Sequence, residues 1–243
     1  RMRDVSHVRN LSRQEILALF EKYGLNLDEE KYNKFCKYEK MLVETNKVMN
    51  LTGIVEENEV YEKHFYDSLL FSFCLPLEDK SLVDVGTGAG FPGLVLAICY
   101  PLLKVSLVEP LTKKCNFLNK VINELELTNV EVINSRSEDL SSLREKFDYA
   151  TARAVARLNI LCEIIAPLLK VNGTFIALKG KQGEEELLEA SNALKKLNLS
   201  IDKIQKVNLL TDNDERINIF LKLDQKIDAK YPRNFSQIKK KPL

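Results

Sequence analysis

The chain has 243 residues, 45% hydrophobic and 29% charged, with a formal net charge of +1. This is an ordinary globular composition, and so balanced a charge excludes a protein that holds nucleic acid through bulk basicity alone. Five scattered cysteines without a C-x-x-C pair exclude a disulfide frame and point to a reducing compartment. With only His7 and His64 as imidazole ligands, no metal site is expected. The polar N-terminal residues do not read as a secretory signal, and no apolar run reaches membrane-spanning length, so a cytoplasmic location and no membrane partner are expected.

Helices come first. Ser12-Arg13-Gln14-Glu15 is a capping box, Ile16, Leu19, Phe20 and Tyr23 follow at helical spacing, and Gly24 closes the helix. A second helix starts near Asp28, with Tyr32, Phe35, Tyr38 and Leu42 on one side. A third covers 59–75 and stops before Pro76. From Ser81 the rhythm alternates. Strands are predicted over 82–85, 105–109, 130–133, 149–152 and 174–178. Helical patterns lie between them, including one with Leu158, Leu161, Ile165 and Leu168 that Pro167 disturbs, and a charged helix over 184–197. Two last strands, 201–210 and 216–223, flank the turn-rich Thr211-Asp212-Asn213-Asp214. Five β–α units imply an α/β fold with a parallel sheet covered on both faces, and the final pair an antiparallel hairpin. The chain thus divides into a helical extension (1–78), a ligand-binding domain (79–225) and a basic tail (226–243). In that tail Lys226, Lys230, Arg233, Lys239, Lys240 and Lys241 stand against Asp228 alone, which suits either solubility or contact with phosphate.

The chemistry centres on Leu82-Val83-Asp84-Val85-Gly86-Thr87-Gly88-Ala89-Gly90-Phe91-Pro92-Gly93. An apolar strand runs into a glycine cluster and then directly into an apolar helix, the corner that grips an adenosine cofactor in doubly wound folds. Glu109 ends the second strand, where a carboxylate can accept hydrogen bonds from ribose hydroxyls. No G-K-[ST] follows the glycines, which argues against a Walker-type nucleotide site. NAD and S-adenosylmethionine both use such a corner. The close G-x-G-x-G spacing, the five β–α units and the terminal hairpin favour S-adenosylmethionine over an NAD-dependent oxidoreductase.

Further motifs extend this reading. Asn50-Leu51-Thr52, His64-Phe65-Tyr66-Asp67-Ser68, Phe147-Asp148, Thr151-Ala152-Arg153-Ala154 and Ala177-Leu178-Lys179-Gly180 occur in that order. With the glycine loop, they make the chain resemble the bacterial 16S ribosomal RNA guanine-N7 methyltransferase G family, also called glucose-inhibited division protein B. The resemblance implies a Rossmann-like class I S-adenosylmethionine-dependent methyltransferase fold, with a seven-stranded, mostly parallel sheet and an N-terminal helical extension. It implies methyl transfer to N7 of a guanosine, with 16S ribosomal RNA or the small ribosomal subunit as partner of a monomeric enzyme. Gly88 and Gly90 of the corner are expected to bind the cofactor and Glu109 its ribose; by the resemblance Gly86 and Phe91 line the cofactor loop, and Ser137 and Glu138 lie beside the adenine. Arg153 faces the cofactor's reactive end or the incoming RNA. A non-catalytic RNA-binding protein on the same fold is the alternative within this resemblance.

Guanine N7 carries a lone pair and no proton, so no general base is expected. The [DN]-P-P-[YF] loop of amino-group methylation is absent after the fourth strand, and no cysteine follows a proline as a nucleophile for cytosine C5 often does. Arg153 and Lys179 are the candidate substrate-positioning residues, followed by Arg136, Arg157 and Lys181, since guanine O6 and phosphate both call for cations. Lys113 and Lys114 suit the surface or a phosphate, and His64 with Asp67 share one helix face in a structural or RNA-facing role.

Overall fold

The structure, a computed structural model, describes residues 13–22, 25, 27–51, 64–153, 156–209 and 214–243. Ser12, Gly24, Thr52, Ala154 and Thr211 to Asn213 lie outside these residues. Helix α1 (Arg13–Lys22) is followed by α2 (Glu29–Asn46). Asp28 caps α2 by accepting the Lys31 N–H at 2.9 Å, and Glu29 and Glu30 sit at the positive end of its dipole. Its apolar stripe buries Phe35, Tyr38 and Leu42.

The expected regular helix over 59–75 differs in its described part. A π-type turn over 64–66 leads into α3 (Asp67–Leu69) and a 3-10 turn (Leu70–Cys74). Residues 64–72 are nearly all buried, so this segment lies between layers and has no solvent face to impose a 3.6-residue period. Leu75 is already extended, as a residue before proline prefers.

Five parallel strands, β1 (Ser81–Val85), β2 (Lys104–Glu109), β3 (Val130–Asn134), β4 (Phe147–Arg153) and β5 (Leu169–Lys179), form most of the sheet. They are joined by antiparallel β6 (Leu199–Asn208) and β7 (Glu215–Leu223) in the order β3-β2-β1-β4-β5-β7-β6. Strand β5 begins five residues before its expected start, because Lys170, Val171 and Asn172 are exposed and hide the strand pattern. The strand order reverses between β1 and β4, the switch point where ligands bind outside the carboxyl ends of the strands.

One sheet face packs against the N-terminal helices, α4 (Gly93–Cys99) and α5 (Thr112–Glu124). The other packs against α6 (Leu158–Ile165), α7 (Gly183–Glu189) and α8 (Ser191–Lys196). Pro167 ends α6 in a 3-10 turn, as its position predicts. The single helix expected over 184–197 is two: ψ at Ala190 is 3°, and the Ser191 hydroxyl takes the Leu188 carbonyl at 2.6 Å. Residues 226–243 pack rather than trail. Ile227, Tyr231 and Ile238 are buried, and the segment carries α9 (Phe235–Lys240). Among the described residues no helix is long and apolar enough to cross a membrane.

One side chain joins α4 to the sheet. The Asn129 amide donates to the carbonyls of Ala97, Tyr100 and Leu103 at 3.1, 3.1 and 2.9 Å. Asn129→Ala leaves these part-buried carbonyls without that donor and is expected to cost about 1–3 kcal/mol. Urea denaturation measures it, and an unchanged midpoint would show that water replaces the amide.

Candidate active site

The site grows from one buried carboxylate. Asp84, fully buried in β1, accepts the Thr87 hydroxyl (2.7 Å) and the Gly93 N–H (2.9 Å) through Oδ2, and the Thr151 hydroxyl of β4 (3.0 Å) through Oδ1. Both ends of the glycine turn are thereby pinned to one strand and tied to the next. Burial pushes the Asp84 carboxyl up to about 6, although its three donors favour the charged form. The turn is also fixed from β2, whose Val108 carbonyl accepts the N–H groups of Gly86 and Thr87 at 2.9 and 3.0 Å.

The glycines serve different ends. A Cβ on Gly90, at φ 109°, would lie 2.5 Å from the Tyr38 hydroxyl, and one on Gly93 would lie 2.4 Å from Leu107 Cδ2. Both positions are closed by the protein's own packing. Gly88 also has positive φ, at 60°, but a Cβ there meets nothing within 4 Å. It leaves open space before the turn, where a ligand can approach the backbone. Glu109 stands beside that space, 4% exposed, accepting the N–H groups of Gly88 (3.1 Å) and Leu111 (2.8 Å) on its two oxygens. Leu111 is 56% exposed at the same edge, an apolar surface next to the carboxylate.

A second constellation lies at the end of β4. The Arg153 guanidinium is 5.3 Å from the Phe91 ring centroid and 3.2 Å from His64 Nδ1. The His64 ring stacks on Phe91 at 4.1 Å and 4°. Burial, then the Arg153 charge, lower the His64 pKa to about 3, so the imidazole is neutral. Arginine can only donate, which makes Nδ1 the acceptor and puts the proton on Nε2. Asp67, buried on α3, accepts Arg216 Nε of β7 at 3.0 Å and lies 4.0 Å from Arg153 Nη1. Two guanidiniums, each about one-quarter exposed, therefore share one carboxylate.

The matches to known proteins follow this geometry. The family described as rRNA small subunit methyltransferase G (GidB) matches residues 31–217, a span that contains both constellations. The chain belongs to that family. Proteins named ribosomal RNA small subunit methyltransferase G are 45% identical in Fusobacterium nucleatum (92% of this chain, 96% of that one) and 40% identical in Brevibacillus brevis (96% and 100%). Among solved structures, a SAM-dependent methyltransferase from Aquifex aeolicus superposes with a TM-score of 0.55 at 16% identity, covering 74% of this chain and 98% of that one. M. jannaschii TYW2 in complex with AdoMet shares the fold too, with a TM-score of 0.56 at 14% identity, covering 70% of this chain and 79% of that one. These structures establish the class I methyltransferase fold, with the seven-stranded, mostly parallel sheet expected from the sequence.

The other residues singled out in the sequence are dispersed. Ser137 and Glu138, half-buried in the β3–β4 connection, are bonded to each other at 3.3 Å. Lys179 is 8% exposed, and its ammonium is held by the Ala156 carbonyl (2.7 Å) and Glu186 (3.1 Å), so it fastens the segment after β4 to α7. Arg157 makes a bidentate pair with Glu189 at 2.8 and 2.6 Å. Arg136, Lys181 and Lys113 are exposed, while Lys114, at the start of α5, is half-buried. Two contributors had no functional signal in the sequence. Tyr38 read only as a core position, yet its hydroxyl donates to the Ala89 carbonyl inside the glycine turn. Arg216 read only as the start of the last strand. Asp84 read as part of the glycine corner, but not as the acceptor that ties the turn together.

The His64 shift has a signed consequence. A lowered pKa means stability present above the ordinary imidazole value near 6.5 and lost as pH falls toward 3, at roughly 1.4 kcal/mol per pH unit. Asp84 acts oppositely, since its raised pKa adds relative stability as pH falls through 6. His64→Gln removes the first effect only. Urea midpoints measured from pH 7 to 4 should fall less steeply with acid in that variant, and identical slopes would show that His64 is not held neutral.

Proposed function

We infer that this protein transfers a methyl group from S-adenosylmethionine to N7 of a guanosine in 16S ribosomal RNA. The family match over residues 31–217 carries the reaction class and the RNA. The observation that carries the site is the juxtaposition, across the β1–β4 switch point, of the open face at Gly88 with the Arg153 cluster.

The residues fit the cofactor. The open face of Gly88 admits an adenosine-bearing ligand to the backbone, and Glu109 beside it offers a carboxylate to the ribose hydroxyls. Gly86, Gly90 and Phe91 shape the turn, Leu111 offers an apolar face to the base, and Ser137 and Glu138 lie on the adenine side. When bound, the sulfonium supplies an already activated methyl group for in-line displacement at nitrogen. The protein's part is then positioning. No residue need remove a proton, because N7 attacks through its lone pair. Arg153 donates to guanine O6 or a flanking phosphate, leaving N7 free. His64 accepts from Nη2 of the guanidinium, the Phe91 ring lies under its carbon, and Asp67 lies near Nη1. Lys179 acts indirectly by holding Ala156, three residues past Arg153. The enzyme works as a monomer in the cytoplasm, where thiols such as its five free cysteines stay reduced.

Two measurements test this. The protein is incubated with labelled S-adenosylmethionine and undermethylated small-subunit RNA, and modified bases are mapped; label at a guanine N7 is expected, and its absence from every guanine would refute the assignment. Arg153→Ala should lower kcat at least ~100-fold while cofactor affinity changes little, as loss of a positioning group predicts. Unchanged turnover would remove Arg153 from the site.

A further inference from the structure

Residues 226–243 are fastened to the body by two arginine clamps. Glu163 of α6 is completely buried, and its carboxylate accepts four hydrogen bonds from Arg233: the backbone N–H at 2.7 Å, Nη2 at 2.7 Å, and Nε at 3.1 Å to each oxygen. Arg233 also donates to the Lys241 carbonyl at 3.0 Å, closing the segment on itself. In the reverse direction, Arg144 of the body donates to three carbonyls of the segment, those of Tyr231 (2.5 Å), Ile227 (3.3 Å) and Asp228 (3.3 Å).

Arg144 closes the connection between β3 and β4. The stretch after β3 has little regular structure of its own beyond a 3-10 turn at Ser141–Leu143, and Ser137 and Glu138 lie within it. A cavity of about 80 Å³ separates this connection from the C-terminal segment. Ser137, Glu138 and Leu140 form one wall, and Pro232, Arg233 and Ile238 form the opposite one. The lysines of α9 and its C-cap play no part in this docking through their charges. Lys239, Lys240 and Lys241 are exposed, and the joints are made by Arg233, Arg144 and buried Ile227, Tyr231 and Ile238.

We propose that the C-terminal segment is a strap that positions the adenine-side loop of the cofactor site, with Arg144 as the positioning residue that links the two. The inference rests on the reading that places Ser137 and Glu138 beside the adenine. It assigns the segment to cofactor affinity, a role distinct from solubility or phosphate contact. When the strap lifts, the β3–β4 connection loses its opposite wall and its anchor together, and Ser137 and Glu138 lose their fixed position.

The test uses the full chain and S-adenosylhomocysteine as the calorimetric probe. Arg144→Ala should weaken binding by about 5- to 20-fold, with KM for RNA at saturating cofactor changed by less than about twofold. Hydrogen exchange should speed up in both 226–233 and 135–143. Replacing Lys239, Lys240 and Lys241 together by alanine should leave cofactor affinity within about twofold, because their side chains do not make the joints. Unchanged affinity in Arg144→Ala overturns the proposal, whether or not the strap exchanges faster. Parallel loss of cofactor and RNA affinity with a lowered Tm also overturns it, since that marks general destabilisation. If Arg144→Ala does not fold, Arg144→Lys, which keeps the charge but cannot reach three carbonyls, carries the same test. Gly88→Val separates the two levels. If it binds normally, the glycine-corner reading fails; if it loses binding while Arg144→Ala keeps it, only the strap fails.

Discussion

The carboxylate of Asp84 is the constraint on which the site depends. It is fully buried within its strand, where an ionised group is costly unless hydrogen bonds surround it. The three donors that surround it come from the turn's second residue, from the first residue of α4 and from the neighbouring strand. Desolvation and hydrogen bonding therefore act against each other within one group, and the turn's shape is the arrangement in which they balance. Because Thr151 is two residues before Arg153, the same carboxylate sets the turn and the course of the strand that delivers the guanidinium.

The N-terminal helices continue this logic. Tyr38 reaches from α2 to the Ala89 carbonyl and sets its ring edge-on to Phe91 at 5.7 Å and 81°. His64 covers Phe91 from the segment before α3. Elements that read in the sequence as a helical extension are supports of the glycine turn. Gly90 belongs to this support: its missing Cβ makes room for the Tyr38 hydroxyl, whereas the missing Cβ of Gly88 opens outward. One motif thus combines a glycine closed by packing and a glycine open to solvent, a difference that spacing alone does not express.

What was legible in the sequence follows from periodicity and turn chemistry. Strands β1, β2 and β3 were read within one residue of their observed starts, because apolar alternation and glycine punctuation are local signals. The strand-to-helix corner and the acid ending β2 were legible for the same reason. The 64–74 segment was misread as regular helix because burial on all sides erases the period on which the reading relies. The break at Ala190 depends on a hydroxyl competing for one carbonyl, a choice invisible in composition. Lys179 read as open to substrate because a lysine after a strand is usually solvated, and only the fold brings Glu186 and the Ala156 carbonyl to its ammonium. Asp67 and Arg216 are 149 positions apart, so their pairing could not be read locally.

That last pair depends on strand direction. A parallel strand presents its C-terminal end to this edge, but antiparallel β7 presents its N-terminal end, and so Arg216 shares Asp67 with Arg153. The cation comes from the last eighth of the sheet-forming chain, and the carboxylate that receives it comes from before the first strand. A chain ending before residue 215 would contain the glycine turn, Glu109 and Arg153, but Asp67 would then face one guanidinium in place of two. The edge is in this sense encoded from both ends of the polypeptide: its glycine turn comes early, and its second guanidinium comes from the last strand, which lies between β5 and β6.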